Sequence, residues 1–135
     1  MDYKINELLT ERFSIDSLIT LATSADNIPY CRTVDAIYDN GSFYVITYAL
    51  SGKMQQLSKN NIVAIAGEWF TGHGIGINLD YFGKTDNKLM ASKLRTAFSS
   101  WIDNGHNNFS DENTIILEIK LTSGVLYSNG TRYQF

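Results

Sequence analysis

Short apolar runs alternate with tight polar breaks along most of this chain, and helical spacing governs only a few stretches. Tyr3 to Phe13 puts Ile5, Leu8, Leu9 and Phe13 on one face, which predicts an amphipathic helix plugging one end of a barrel. Ser17 to Ser24 is almost continuously apolar and predicts a strand buried on both faces. Ala25 to Ile28 reads as a turn, and Pro29, the single proline, sits at a strand start where its missing N–H is tolerated. The strand that follows carries Arg32, Val34, Ala36 and Tyr38 on one face and Cys31, Thr33, Asp35 and Ile37 on the other. Asn40-Gly41 then predicts a type I′ hairpin into a strand from Phe43 to Thr47. Ser51 to Leu57 predicts a short helix with Ser51 as its N-cap.

Asn61 to Phe70 predicts a further buried strand, with Gly67 marking a bulge or a close approach of a ligand to the backbone. In Thr71 to Leu79, Ile75, Ile77 and Leu79 alternate with Gly74, Gly76 and Asn78. That is a strand with a bare face, and no helix follows to make its Gly-x-Gly-x-Gly a dinucleotide motif. The bare face leaves room for a flavin ring, a substrate or a partner subunit. Asp86 to Asn104 predicts the longest helix, with a stripe of Leu89, Met90, Leu94, Ala97, Phe98, Trp101 and Ile102, Asp86 as N-cap and Gly105 just past its end. After a polar loop from Gly105 to Asn113, Thr114 to Thr122 predicts a strand ending at a Ser123-Gly124 turn. Val125 to Tyr127 and Thr131 to Phe135 form a last hairpin around Asn129-Gly130. Six to eight short strands joined by tight turns imply one mainly β (α+β) domain over residues 1–135, an antiparallel β-barrel with peripheral helices.

Composition narrows the function. A net charge of −3 without basic runs argues against nucleic acid as a partner. No apolar run approaches the ~20 residues of a membrane helix, and the first residues lack the pattern of a secretion signal, so a cytoplasmic location is expected. The lone Cys31 excludes an internal disulfide and reads as a buried, inert thiol. His73 and His106 lie on separate elements without metal-ligand spacing, so no metal site is expected. No hydrolase motif or carboxylate pair is evident either, which fits a protein whose cofactor carries the chemistry. Asp35 caps a ligand group, pairs with Arg32 or a lysine, or is an edge-strand charge facing water.

The unit from Pro29 to Leu57 reads as a phosphate holder. The first turn of a helix has unpaired N–H groups and a partial positive charge. Lys53 adds a full cation there, Ser51 a hydroxyl, and Arg32 a second cation if the sheet curls over the helix start.

The order of Leu21-Ala22-Thr23, Pro29 to Val34, Phe43 to Thr47, Ser51 to Leu57 and Asn60 to Ile65 resembles the pyridoxamine 5′-phosphate oxidase-like family of FMN-binding split barrels. The resemblance implies a split barrel and a homodimer with FMN at the interface. It sets the backbone of Arg32, Thr33 and Val34 beside the isoalloxazine edge. Thr47 and Tyr48 would lie along the ribityl chain and phosphate, and Gln56 either reaches the cofactor or is a surface residue. A deazaflavin coenzyme fits the same residues. The chain lacks the C-terminal arginine- and histidine-bearing segment that true pyridoxamine 5′-phosphate oxidases use on their substrate, and Arg132 is its only late arginine. The better likeness is to the small single-domain branch with flavin reductase- and nitroreductase-like proteins. The implied activity is an FMN-dependent oxidoreductase acting on a small organic substrate with NADH or NADPH as donor. The alternative is a non-catalytic flavin or haem carrier or sensor, with His73 as its haem ligand. His73, Tyr81 and Trp101 stand as candidates for the substrate site.

Overall fold

The computed structural model describes residues 1–135. Seven strands, β1 (Ser17–Ala25), β2 (Ile28–Asp39), β3 (Ser42–Tyr48), β4 (Ile62–Gly67), β5 (Phe70–Tyr81), β6 (Thr114–Ser128) and β7 (Thr131–Gln134), are ordered β3-β2-β1-β4-β5-β6-β7. All neighbours run antiparallel. Because β3 also pairs with β6 along its whole length, β1 to β6 close into a barrel, and β7 is appended to it. The helices are α1 (Tyr3–Phe13), α2 (Gly52–Lys59) and α3 (Lys88–Ala97), the last preceded by a 3₁₀ turn over Thr85–Asn87.

The hairpins follow their turn chemistry. Asp26 and Asn27 both take positive φ (54° and 62°), as do Asn40 and Gly41 (44° and 97°) and Asn129 and Gly130 (49° and 77°). The α1 stripe of Ile5, Leu8, Leu9 and Phe13 enters the barrel core with Ile19, Leu21, Phe43, Val63, Ile65 and Leu117. An aromatic chain runs through that core. Phe13 meets Phe43 edge-on at 5.4 Å, Phe43 stacks on Phe70 at 6.1 Å, and Phe70 stacks on Phe135 at 6.5 Å. Such pairs add ~0.5–1.5 kcal/mol each beyond the area they bury. A second cluster, built from Ile37, Phe82, Ala91, Leu94, Phe98, Ile102 and Ile116, packs α3 and the segment after it on the other face of the sheet. The run Ile115-Ile116-Leu117 is therefore buried on both faces, Ile115 and Leu117 in the barrel and Ile116 under α3.

Several elements differ from the sequence pattern. β1 is buried on one face only: Ile19, Leu21, Thr23 and Ala25 point inward while Leu18 is 66% exposed. Asn61 to Phe70 is not one strand, because β4 ends at Gly67 and Trp69 turns the chain at φ 53°. That turn is held from a distance. Arg12 of α1 donates to the carbonyls of Glu68 (2.9 Å) and Tyr127 (2.9 Å). Gly67 marks no ligand approach, since an added Cβ would meet the Phe13 ring at 3.0 Å. α3 stops at Ala97 rather than Asn104, and its N-cap is Asn87 rather than Asp86. Beyond it, Trp101 N donates to Phe98 O and Asn104 N to Trp101 O, tight turns that keep Phe98 and Ile102 buried together. These turns preserve the helical spacing of apolar residues without a helix. Leu89 of the expected stripe is 73% exposed. Ser123-Gly124 is no turn; β6 continues through it with one extra residue, Thr122, between the His73↔Ser123 and Gly74↔Leu121 pairs. The glycine face of β5 is filled by the chain itself. A Cβ on Gly74 would sit 2.6 Å from Lys120 O, and one on Gly76 would sit 2.8 Å from Leu57 Cδ2. Cys31 is exposed, not buried.

One irregularity positions the site. β2 pairs with β1 from Ala25↔Ile28 to Ser17↔Ala36, but with β3 only at Ile37↔Tyr44, Tyr38↔Phe43 and Asp39↔Ser42. Toward Arg32 on one strand and Tyr48 on the other, the two strands part. The edges facing each other there have no ladder, so backbone donors and acceptors of β2 are left for something else to satisfy.

Candidate functional site

At the mouth of this opening the fold gathers residues from β1, β2, β3 and α2. Arg32 is the inward-facing residue of β2 opposite Leu21. Its Nη1 donates to Leu21 O (3.1 Å) and Thr23 Oγ1 (2.9 Å), and its Nη2 to Gln56 Oε1 (2.8 Å). Thr23 in turn donates to Gln56 Oε1 at 2.6 Å. From the first turn of α2, Lys53 Nζ reaches back to Thr47 Oγ1 at 2.6 Å. Ser51 caps α2, its Oγ accepting from Met54 N at 3.4 Å.

Arg32 and Lys53 come near enough for their charges to act on one another. Burial pushes the Lys53 ammonium below its usual range, and the Arg32 guanidinium pushes it the same way. Burial lowers Arg32 as well, an effect larger than the small upward pull of Cys31. Neither cation has a carboxylate partner. All five ion pairs of the chain lie elsewhere, and every acceptor around these two is a neutral oxygen. A half-buried pair of like charges without a counterion is a strained arrangement that an anion relieves. Both keep free donors: a guanidinium has five N–H groups and an ammonium three, of which the bonds above occupy three and one. The start of α2 adds backbone N–H groups and the positive end of the helix dipole.

The remaining expected residues divide. Thr47 and Tyr48 line a cavity of about 240 Å³ that continues past His106, Asn107 and Asp111, with Tyr48 exposed. Val34 faces the opening. Thr33 turns its side chain outward, so only its backbone can serve the site. Gln56 is not a free surface residue; its Oε1 accepts from both Arg32 and Thr23, and with Thr23 it aims the guanidinium of Arg32. Thr23 was missed by the sequence reading, although a hydroxyl on the inward face of Ile19-x-Leu21-x-Thr23-x-Ala25 was a visible signal. Asp35 does not meet Arg32, being on the opposite face of β2. It faces Asp16, whose Oδ2 accepts from Trp101 Nε1 at 2.7 Å. Burial first, then the neighbouring Asp16 carboxyl, raises Asp35 to about 6. Trp101 lines the opening with Val34, Asp35 and His106. Tyr81 instead donates its hydroxyl to Phe109 O, and His73 is exposed on the outer face of β5 among Thr20, Ala22 and Ala64. No three His, Cys, Asp or Glu side chains come together as metal ligands, and no helix is long and apolar enough to cross a membrane.

Neither protein-family models nor curated protein sequences match the chain. Solved structures do. A FAD-binding protein from Mesorhizobium loti superposes with a TM-score of 0.69 at 15% identity, over 92% of this chain and 91% of that one. A Clostridium acetobutylicum protein related to general stress protein 26 of B. subtilis, of the pyridoxine phosphate oxidase family, gives 0.64 at 15% identity over 100% and 96%. A haem-binding protein from Mycobacterium smegmatis gives 0.71 at 11% identity, covering 100% of this chain and 58% of that one. At these identities the likeness is one of fold.

Proposed function

On a chain that shares the split-barrel fold of the pyridoxamine 5′-phosphate oxidase-like proteins, we propose that the opening between β2 and β3 binds FMN. The observation that carries this reading is that Arg32, bonded to Gln56 of α2, and Lys53, one turn earlier on the same helix, both lie at the mouth of a strand gap with neither paired to a carboxylate. A phosphomonoester near neutral pH carries ~1.5 to 2 negative charges and takes charge-assisted hydrogen bonds of ~1.5–3 kcal/mol each. Arg32, Ser51, Lys53 and the first N–H groups of α2 hold that phosphate. Thr47 and Tyr48 follow the ribityl chain, and the unpaired backbone edge at Arg32, Thr33 and Val34 takes the polar rim of the ring. Thr23 and Gln56 fix the guanidinium in place. When bound, the flavin supplies hydride and electron transfer between a nicotinamide donor and a small organic substrate. The protein's part is to hold and orient it and to offer fixed backbone donors to the ring edge. A deazaflavin coenzyme presents the same phosphate and is separated from FMN by its spectrum.

The functional unit is a homodimer. In the single chain, Leu18 and Ile62 stand 66% and 62% exposed beside a shallow hollow of small side chains on β1, β4 and β5, and a second copy covers such a face. A carrier or sensor role on the same fold predicts bound cofactor without turnover. His73, the haem-ligand candidate of that role, lies on that outer face and lines neither cavity of the opening. The test is a visible absorption spectrum of the purified protein and a titration of the cofactor-free protein with FMN, followed by NADH or NADPH. Micromolar FMN binding with flavin bleaching is expected. No binding at millimolar FMN refutes the assignment.

A further inference from the structure

Past the cation cluster the same opening changes character. Its inner part is a cavity of about 400 Å³ between Val34 and Asp35 on β2 and Val45 and Ile46 on β3, roofed by the segment from Trp101 to Asn107. It adjoins the smaller cavity beside Thr47 and Tyr48, with which it shares His106 and Asn107. No lysine or arginine lines either one; the only side chain on these walls that can become a cation is exposed His106. The charge that is present is negative and unbalanced. Asp35 lines the cavity and faces Asp16, and neither takes part in any ion pair. Asp16 Oδ1 is shielded from solvent and has no hydrogen-bond partner, while its Oδ2 is fixed by Trp101 Nε1. Trp101 is held on its other side by Phe98, ring on ring at 4.6 Å, so an indole is presented in a fixed orientation beside the carboxyl pair. Asn104 and Asn107 add carboxamides that give and take hydrogen bonds.

We infer that this inner cavity is the substrate subsite and that it selects a ring compound bearing an amine or another cationic group, and excludes phosphorylated or carboxylated ones. The inference deepens the flavoprotein reading and rests on it for the word substrate. Its physical basis is a division of charge along one opening. The cations sit at the outer end, where they hold the cofactor's anion, and the inner end keeps uncompensated carboxylates beside an aromatic ring. An organic cation there gains an ion pair with Asp35 and a cation–π contact with Trp101. An anion meets like charge with nothing to offset it. A substrate carrying a phosphate would need a second basic cluster, and the cavity has none.

The experiment uses the full chain in a Trp69→Phe background, which leaves Trp101 as the only tryptophan. The probes are benzylamine, benzyl alcohol and benzylphosphonate, which share a ring and differ in charge, and binding is read from Trp101 fluorescence at pH 7.5. Benzylamine is expected to bind at least ~tenfold more tightly than benzylphosphonate, the scale of one close charge contact. Asp35→Asn is expected to shrink that ratio below about threefold. Equal or tighter binding of the phosphonate overturns the inference, as does an unchanged ratio in Asp35→Asn, or the absence of any benzylamine signal. FMN titrations of the same variants separate the two readings. If the amine preference holds and falls with Asp35→Asn while FMN fails to bind any variant, the cavity assignment stands and only the cofactor reading is lost.

Discussion

Removing the positive charge of Lys53 while keeping its stem separates a binding residue from a structural one. In the folded chain the ammonium is partly buried, donates one hydrogen bond to Thr47 Oγ1 at 2.6 Å, and is pressed toward its neutral form by burial and by Arg32. Without an anion its charge therefore opposes folding more than it assists it. Lys53→Met preserves the apolar packing of the stem and removes the repulsion. The stability of the cofactor-free protein is expected to stay within about 0.5 kcal/mol of wild type or to rise. FMN affinity is expected to fall roughly 10- to 100-fold, the loss of one charge-assisted hydrogen bond of ~1.5–3 kcal/mol. Stability is read from urea unfolding and affinity from quenching of flavin fluorescence. The reasoning is refuted by the reverse pattern, a loss above ~1 kcal/mol in the cofactor-free protein with FMN affinity unchanged. That pattern would make Lys53 a tether for Thr47 and nothing more.

Four further expectations follow from the same geometry. Thr23→Val and Gln56→Ala each free the Arg32 guanidinium, so each is expected to weaken FMN roughly 3- to 10-fold. Combined with Arg32→Ala they should add almost nothing, because they act through it; additive losses would refute a positioning role. Asp35, raised to about 6 in the folded chain from an ordinary 3.8, binds its proton more tightly folded than unfolded. Its stabilising share is full below the unfolded value and is lost as pH rises through 6. Between pH 5 and pH 8 wild type should lose on the order of 1 kcal/mol after allowing for solvent screening, and Asp35→Asn should not show that loss in urea melts. Gly74→Ala drives a Cβ to 2.6 Å from a β6 carbonyl and is expected to cost about 1–3 kcal/mol; a wild-type melting temperature would refute the close approach. Leu18→Lys with Ile62→Glu should halve the solution mass measured by light scattering if the outer face of β1 and β4 joins two copies, and an unchanged mass assigns the interface elsewhere.

Local chemistry made much of this molecule legible in advance. The α1 stripe, the Asn-Gly turns and the Ser51 cap each depend on residues within a few positions of one another, so period and turn type read directly from the chain. The placing of Ser51 and Lys53 together at the start of α2 was legible for the same reason, since they are neighbours in sequence. What sequence could not decide were features set by distant partners. The Trp69 turn exists because Arg12 reaches across from α1 to hold its carbonyls. The end of α3 lies at Ala97 because tight turns after it bury Phe98 and Ile102 equally well. The glycines of β5 serve close packing against β6 and Leu57 rather than a ligand. Most of all, the approach of Arg32 to Lys53, the contacts by which Thr23 and Gln56 hold Arg32, and the facing of Asp35 and Asp16 arise only when the barrel closes and β2 parts from β3. Period and propensity assign each residue to a face. Which faces meet, and where a ladder is left unpaired, is settled by how curved strands close on one another.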